Sequence, residues 1–215
     1  MELTERLVDN KDWITLLFLG ISLLIVMASF LNARRLKQLF ALPYNDLYLV
    51  NYDSNIWHPF NILLFVIANL ILGLFIYLGM TEFYPDKVLF TSNLFLKILG
   101  LLMIYWMFKY LSGLLVAFLF EIKKWQKKMT FVKISYFFSS SLYLLVFLIF
   151  SVYSFTNSTT FLIIIISFYS ILLLIRYFHF LRIHRRDIIA NLFYFILYLC
   201  ALEIAPLLIA IKIGT

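Results

Sequence analysis

Apolar residues in this chain come in long unbroken blocks. They show neither the alternation of a half-buried strand nor the narrow stripe of a surface helix. A helix needs about 20 mainly apolar residues to cross the hydrocarbon core of a bilayer. Six runs approach or exceed that length: 13–31, 60–80, 94–120, 134–155, 161–178 and 188–211. The pattern predicts an all-α integral membrane protein, a bundle of six transmembrane helices in a single polytopic membrane domain covering 1–215. Only "TNSTT" (156–160) separates the fourth run from the fifth, which makes those two spans neighbours.

Composition agrees. Of 215 residues, 64% are hydrophobic, 20% aromatic and only 13% charged, with a mean hydropathy of +0.98, whereas a soluble domain is about a quarter charged. Four prolines, six glycines and no low-complexity stretch leave nothing to mark a separate soluble domain. The first run reads as a retained helix, because Glu2, Glu5, Asp9 and Asp12 precede it and no A-x-A cleavage pattern follows. The single cysteine, Cys200, lies inside a span and excludes an internal disulfide.

The net charge of +7 matters through its placement. Arg34, Arg35 and Lys37 follow the first span, Lys123, Lys124, Lys127, Lys128 and Lys133 the third, and Arg182, Arg185 and Arg186 the fifth; the other side holds only Arg6, Lys11, Lys87 and Lys212. The positive-inside rule then puts both termini in the periplasm and the three basic loops in the cytoplasm. The runs "EIKKWQKKM" (121–129) and "RIHRRD" (182–187) suit an anionic lipid surface, each nearby cation gaining roughly 1 kcal/mol there, or a protein partner. No base-reading signature accompanies them, so nucleic acid is not expected.

Charged side chains within spans are functional hypotheses by default. Lys97 and Arg176 lie near span ends and can snorkel to an interface. Lys109 and Glu203 lie deeper: at 1.5 Å per residue they sit roughly 18 Å and 22 Å from the cytoplasmic end of their spans, with opposite sign, and the expectation is that they pair. Pro206 cannot donate to the carbonyl of Leu202, so the sixth span should kink beside Glu203. Two readings follow, a structural pair or a transport or proton site. Asn69, Asn191, Ser139, Ser140 and Ser141 are expected to bond between helices, and Gly113 with Ala117 to permit close helix approach.

Enzymatic patterns are weak. Ser112 precedes a glycine within a span, but its nearest histidine partner, His179, belongs to the basic surface. His179 and His184 are five apart, off the i, i+4 spacing that aligns two imidazoles. No catalytic residue, cofactor or metal is expected.

The longest hydrophilic stretch is the cytoplasmic loop 32–59. In "ARRLKQLF" (33–40) Leu36, Leu39 and Phe40 share a face flanked by Arg34, Arg35 and Lys37, as in an interfacial helix. "DLYLVNY" (46–52) reads as extended. "WHPF" (57–60) then re-enters the bilayer, with Trp57 as interfacial anchor, His58 beside it, Pro59 in the first helical turn, and Asn61 able to bond back to loop backbone.

"ERLVDNKDWITLLF" (5–18) and "HPFNILLF" (58–65), in a chain of this length and span count, resemble an uncharacterised family of small inner-membrane proteins of Bacteroidota. The resemblance covers the whole chain and implies a bacterial cytoplasmic membrane; it brings no activity or catalytic residue. The reading of function is a non-enzymatic accessory or scaffold subunit of a larger inner-membrane complex, in protein export or secretion or in envelope assembly, with the bilayer and other membrane subunits as partners. The alternative is a small proton-coupled carrier built on Lys109, Glu203 and Pro206; a lipid-modifying enzyme would be a third class.

Overall fold

The computed structural model describes residues 12–45, 47–52, 58–83, 92–119, 123–154 and 159–183. In chain order the helices are α1 (Asp12–Phe40), α2 (Leu47–Asn51), α3 (Pro59–Phe83), α4 (Ser92–Leu119), α5 (Lys123–Tyr153) and α6 (Thr159–Ile183), with no strand among the described residues. Four of these, α1, α3, α4 and α5, are long and apolar enough to cross a membrane, and α6 carries a shorter apolar stretch, Thr159–Leu174. The described residues are those of an all-helical membrane protein. The sixth run, 188–211, and both termini lie outside the described residues.

Helices of this kind form because, away from water, each backbone N–H and C=O must find its partner inside the segment. Ring contacts fix how they stack. At one end Trp13 of α1 packs edge-on against Tyr77 of α3 (5.1 Å between centroids) and beside Phe95 of α4 (5.5 Å). Midway, Trp106 of α4 bridges Phe65 of α3 (5.7 Å) and Phe137 of α5 (4.9 Å). Phe147 of α5 meets Phe168 of α6 at 4.5 Å. These registers make successive long helices antiparallel, with α3 and α5 at the centre. A Cβ on Gly73 would lie 2.8 Å from Leu99 of α4, and one on Gly113 would lie 2.8 Å from Gln126 of α5, so both glycines permit close helix approach.

α1 is two helices joined at Asn32, whose backbone (φ −165°, ψ 85°) is extended. The first arm, 12–31, is about 30 Å long at 1.5 Å per residue. Asn32 then caps the second arm, its Oδ1 accepting the Arg35 N–H at 3.1 Å. The second arm stays on the bundle. Tyr48 stacks on Phe131 of α5 (5.9 Å, 12° between planes), while the Tyr143 hydroxyl, twelve residues further along α5, donates to the Phe40 carbonyl at 2.7 Å. The second arm, the following turn and α2 therefore occupy roughly 18 Å of the α5 surface. Nearer the other end the Tyr153 hydroxyl donates to Thr15 Oγ1 at 2.9 Å.

Three expectations are corrected. "DLYLVNY" is not extended: α2 forms within it, its first N–H (Leu47) bonded to Asn45 Oδ1 at 3.2 Å, and burial of Tyr48 outweighs the strand preference of its residues. The basic run after α4 is largely helical, since α5 begins at Lys123 and extends well before the predicted span. Of the residues expected to bond between helices, Ser140 and Ser141 both donate to the Phe137 carbonyl of their own helix, Asn69 Nδ2 donates to the Phe65 carbonyl at 2.7 Å, and the Ser139 hydroxyl is buried without a hydrogen-bond partner among the described residues. An own-helix carbonyl is the nearest acceptor and needs no fine inter-helix spacing. Asn191 lies outside the described residues.

Removing the cap should loosen the second arm. Asn32→Ala is expected to cost about 1 kcal/mol, with Asn32→Asp or Asn32→Ser retaining most of the stability; thermal unfolding of the three variants in detergent checks this.

Candidate functional site at the basic end of the bundle

Arg35 is the residue around which this end is organised. The Asn32 kink and the 3.6-residue period place it on the same side of the second arm as Leu36 and Leu39, and it is only 5% exposed. Its Nη2 donates to Asn61 Oδ1 of α3 at 3.1 Å, and its Nε approaches the Tyr48 hydroxyl of α2 at 3.4 Å. Three rings enclose the guanidinium, with centroids 4.7 Å (Tyr52), 4.9 Å (Phe60) and 5.7 Å (Tyr48) from Cζ. The carboxylates among the described residues, Asp12 and Glu82, stand at the far ends of α1 and α3.

A buried cation costs several kcal/mol unless compensated. Here the compensation is an amide oxygen, a phenol and the negative faces of three rings, each ring worth on the order of 1–2 kcal/mol when desolvated. The planar guanidinium suits such a box; an ammonium would not stack. Burial raises the Tyr48 phenol above its ordinary pKa and outweighs the Arg35 charge and the hydrogen bonds with Arg35 and Ser135, which pull the other way. The neutral phenol is thus the form that the fold favours.

Chemically this arrangement is a clasp. It ties the second arm of α1, α2 and the start of α3 into one unit, reinforced by a hydrogen bond that Asn51 Nδ2 donates to Gln38 Oε1 at 3.4 Å. Arg35, expected with its neighbours at lipid headgroups, is turned inward, while Arg34 and Lys37 are exposed. Asn61, expected to serve loop backbone, accepts from Arg35 because its first-turn position on α3 faces the second arm. His58 caps α3: its Nδ1 accepts the Phe60 N–H at 3.3 Å, and α3 opens at Pro59. Trp57 lies outside the described residues.

Lys123, Lys127 and Lys128 are exposed on the first turns of α5, Lys124 belongs to the same turns, and Arg182 lies in the last turn of α6. Arg185 and Arg186 lie outside the described residues. Lys109 sits on α4 about 15 Å from that helix's C-terminal end, its Nζ 3.4 Å from the Tyr105 hydroxyl and 5.6 Å from the centroids of Tyr105 and Trp106. Glu203 and Pro206, its expected partner and the expected kink, lie outside the described residues. Ser112 donates to the Phe108 carbonyl of its own helix at 2.8 Å. Among the described residues no three His, Cys, Asp or Glu side chains converge.

Sequence reasoning missed the ring box. Its signal was present: Tyr48 and Tyr52 are an i, i+4 pair, followed by Phe60, and a helical reading of 48–52 puts both phenols on one face.

The chain belongs to the family described as Domain of unknown function (DUF4271), whose model matches residues 14–213. No curated protein and no solved structure matches it.

Two outcomes test the clasp. Asn61→Leu should lower stability by about 1–3 kcal/mol by leaving a buried donor unsatisfied, and adding Arg35→Met should recover most of the loss; a double-mutant cycle by thermal unfolding reads both. Because the fold holds Tyr48 neutral while the unfolded phenol ionises near pH 10, stability should fall as pH rises above about 10. Tyr48→Phe should flatten that part of the profile.

Proposed function

We propose that this chain, as a member of an uncharacterised family, is a non-enzymatic accessory or scaffold subunit of a larger assembly in the bacterial inner membrane, in the envelope of Bacteroidota, serving protein export or secretion or envelope assembly. The observation that carries this reading is the character of α4. Little of the spanning part of α4 is buried, whereas most of that of α5 is, and exposed side chains lie around α4 on more than one side, Met103 and Met107 on one and Tyr105 and Phe108, nearer Lys109, on another. Methionine and aromatic residues are the types enriched where proteins meet. A cation at that depth is expensive against lipid and ordinarily faces protein. Exposure on more than one side of α4 supports this reading, because it leaves room for a further membrane subunit besides the chain's own 188–211 run.

The chain's own Glu203 is the counter-charge we assign to Lys109, with the 188–211 run as a sixth span beside α4 and both termini periplasmic. Lys109, held near mid-membrane by Tyr105 and Trp106, also favours a second reading, a small proton-coupled carrier in which Lys109, Glu203 and Pro206 form the working site.

Purification from the native membrane in mild detergent, through a C-terminal tag, should bring down a larger membrane assembly in fixed ratio; a homogeneous particle with no partner would transfer the weight to the carrier. Lys109→Met or Glu203→Gln alone should reduce accumulation, by leaving a buried charge worth about 3–5 kcal/mol uncompensated, and the double apolar replacement should restore it. Abundance restored without activity would mark a working site. A reporter fused after Thr215 should report the periplasm.

A further inference from the structure

The clasp has an outer surface. While Tyr48 is fully buried, Tyr44 is 86% and Val50 77% exposed, on a unit that packs along the same stretch of α5 as the membrane-spanning helices. Large side chains this exposed, on a unit packed along the apolar, span-length part of α5, suit acyl chains better than water. Arg34 and Lys37 project from the adjoining arm, and Lys127 and Lys128 from α5 one turn before Phe131, the residue on which Tyr48 stacks. Every one of these four cations is exposed. The described carboxylates, Asp12 and Glu82, are at the opposite end of their helices, so nothing described at this end neutralises them.

An exposed apolar face rimmed by cations is the chemistry of an interfacial lipid-binding element. We propose that the second arm of α1, α2 and the first turns of α5 form one binding surface for anionic phospholipid. Tyr44 and Val50 insert among the acyl chains, and Arg34, Lys37, Lys127 and Lys128 hold the phosphates. Arg35 takes no part in the headgroup contacts; it positions the surface by pinning α2 against α3 from within.

The full-length protein, carrying Val50→Cys on a Cys200→Ser background and labelled with an environment-sensitive fluorophore, can be reconstituted in phosphatidylcholine vesicles with and without phosphatidylglycerol. The label should be quenched by a lipid-borne spin label and shielded from aqueous iodide. After extraction in mild detergent, the unlabelled protein should retain phosphatidylglycerol over phosphatidylcholine. Arg34→Gln with Lys37→Gln should lower that ratio about fivefold for each charge removed, and Arg34→Lys with Lys37→Arg should restore it. Added salt should weaken the preference. A label open to iodide and untouched by the lipid quencher would turn this face toward water or a soluble partner and overturn the proposal. So would a retention ratio unchanged by the paired glutamine substitutions, which are at exposed positions and spare the clasp.

Discussion

A guanidinium withdrawn from water must be given a full set of partners, and the geometry at the basic end follows from how Arg35 obtains them. Its amide acceptor comes from α3, its phenol from α2 and its ring faces from both, so one side chain holds three elements at fixed distances at this end. The kink at Asn32 serves the same constraint. Without an extended residue there, α1 would continue straight and carry Arg35 away from Asn61.

Away from that end the bundle relies on shape. Aromatic layers at Trp13 and Trp106 set the depth of one helix against the next, and glycines at 73 and 113 let α4 approach its neighbours. In lipid there is no hydrophobic force to press helices together, so van der Waals fit and close approach carry more of the work than they would in water. The serines of α5 contribute little to this, because Ser135, Ser140 and Ser141 spend their hydrogen bonds on their own helix, and the bonds from α5 to α1 come from Tyr143 and Tyr153.

Much of this architecture was legible in the sequence because bilayer thickness imposes a length on each apolar run, and length survives any uncertainty about neighbours. The span-length parts of α1, α3, α4 and α5 follow from that rule, with shifts at their ends. What escaped was decided by tertiary contact. Residues 46–52 carry strand-forming side chains, and only the presence of Phe131 and Arg35 makes a helical turn there worthwhile. Arg35 itself is indistinguishable from Arg34 in a charge count; its inward turn depends on a break at Asn32 that no proline or glycine announces. The depth of Lys109 was readable, whereas its ring contacts with Tyr105 and Trp106 required the helix.

The clasp also imposes an order in time. Tyr48 and Tyr52 are made shortly after Arg35, and Asn61 soon after them, but Phe131 and Ser135 emerge about a hundred residues later, and Tyr143, which receives the end of the second arm, later still. At a synthesis rate of about 5–20 residues per second, that is an interval on the order of 5–20 s. During it the first arm of α1 can already be inserted, and Arg35 can meet Tyr48, Tyr52, Phe60 and Asn61, all made by then. Only the arrival of α5 brings the ring on which Tyr48 stacks and the hydroxyl that holds Phe40, so a chain interrupted before residue 131 would have the partners of the arginine without the surface on which they rest.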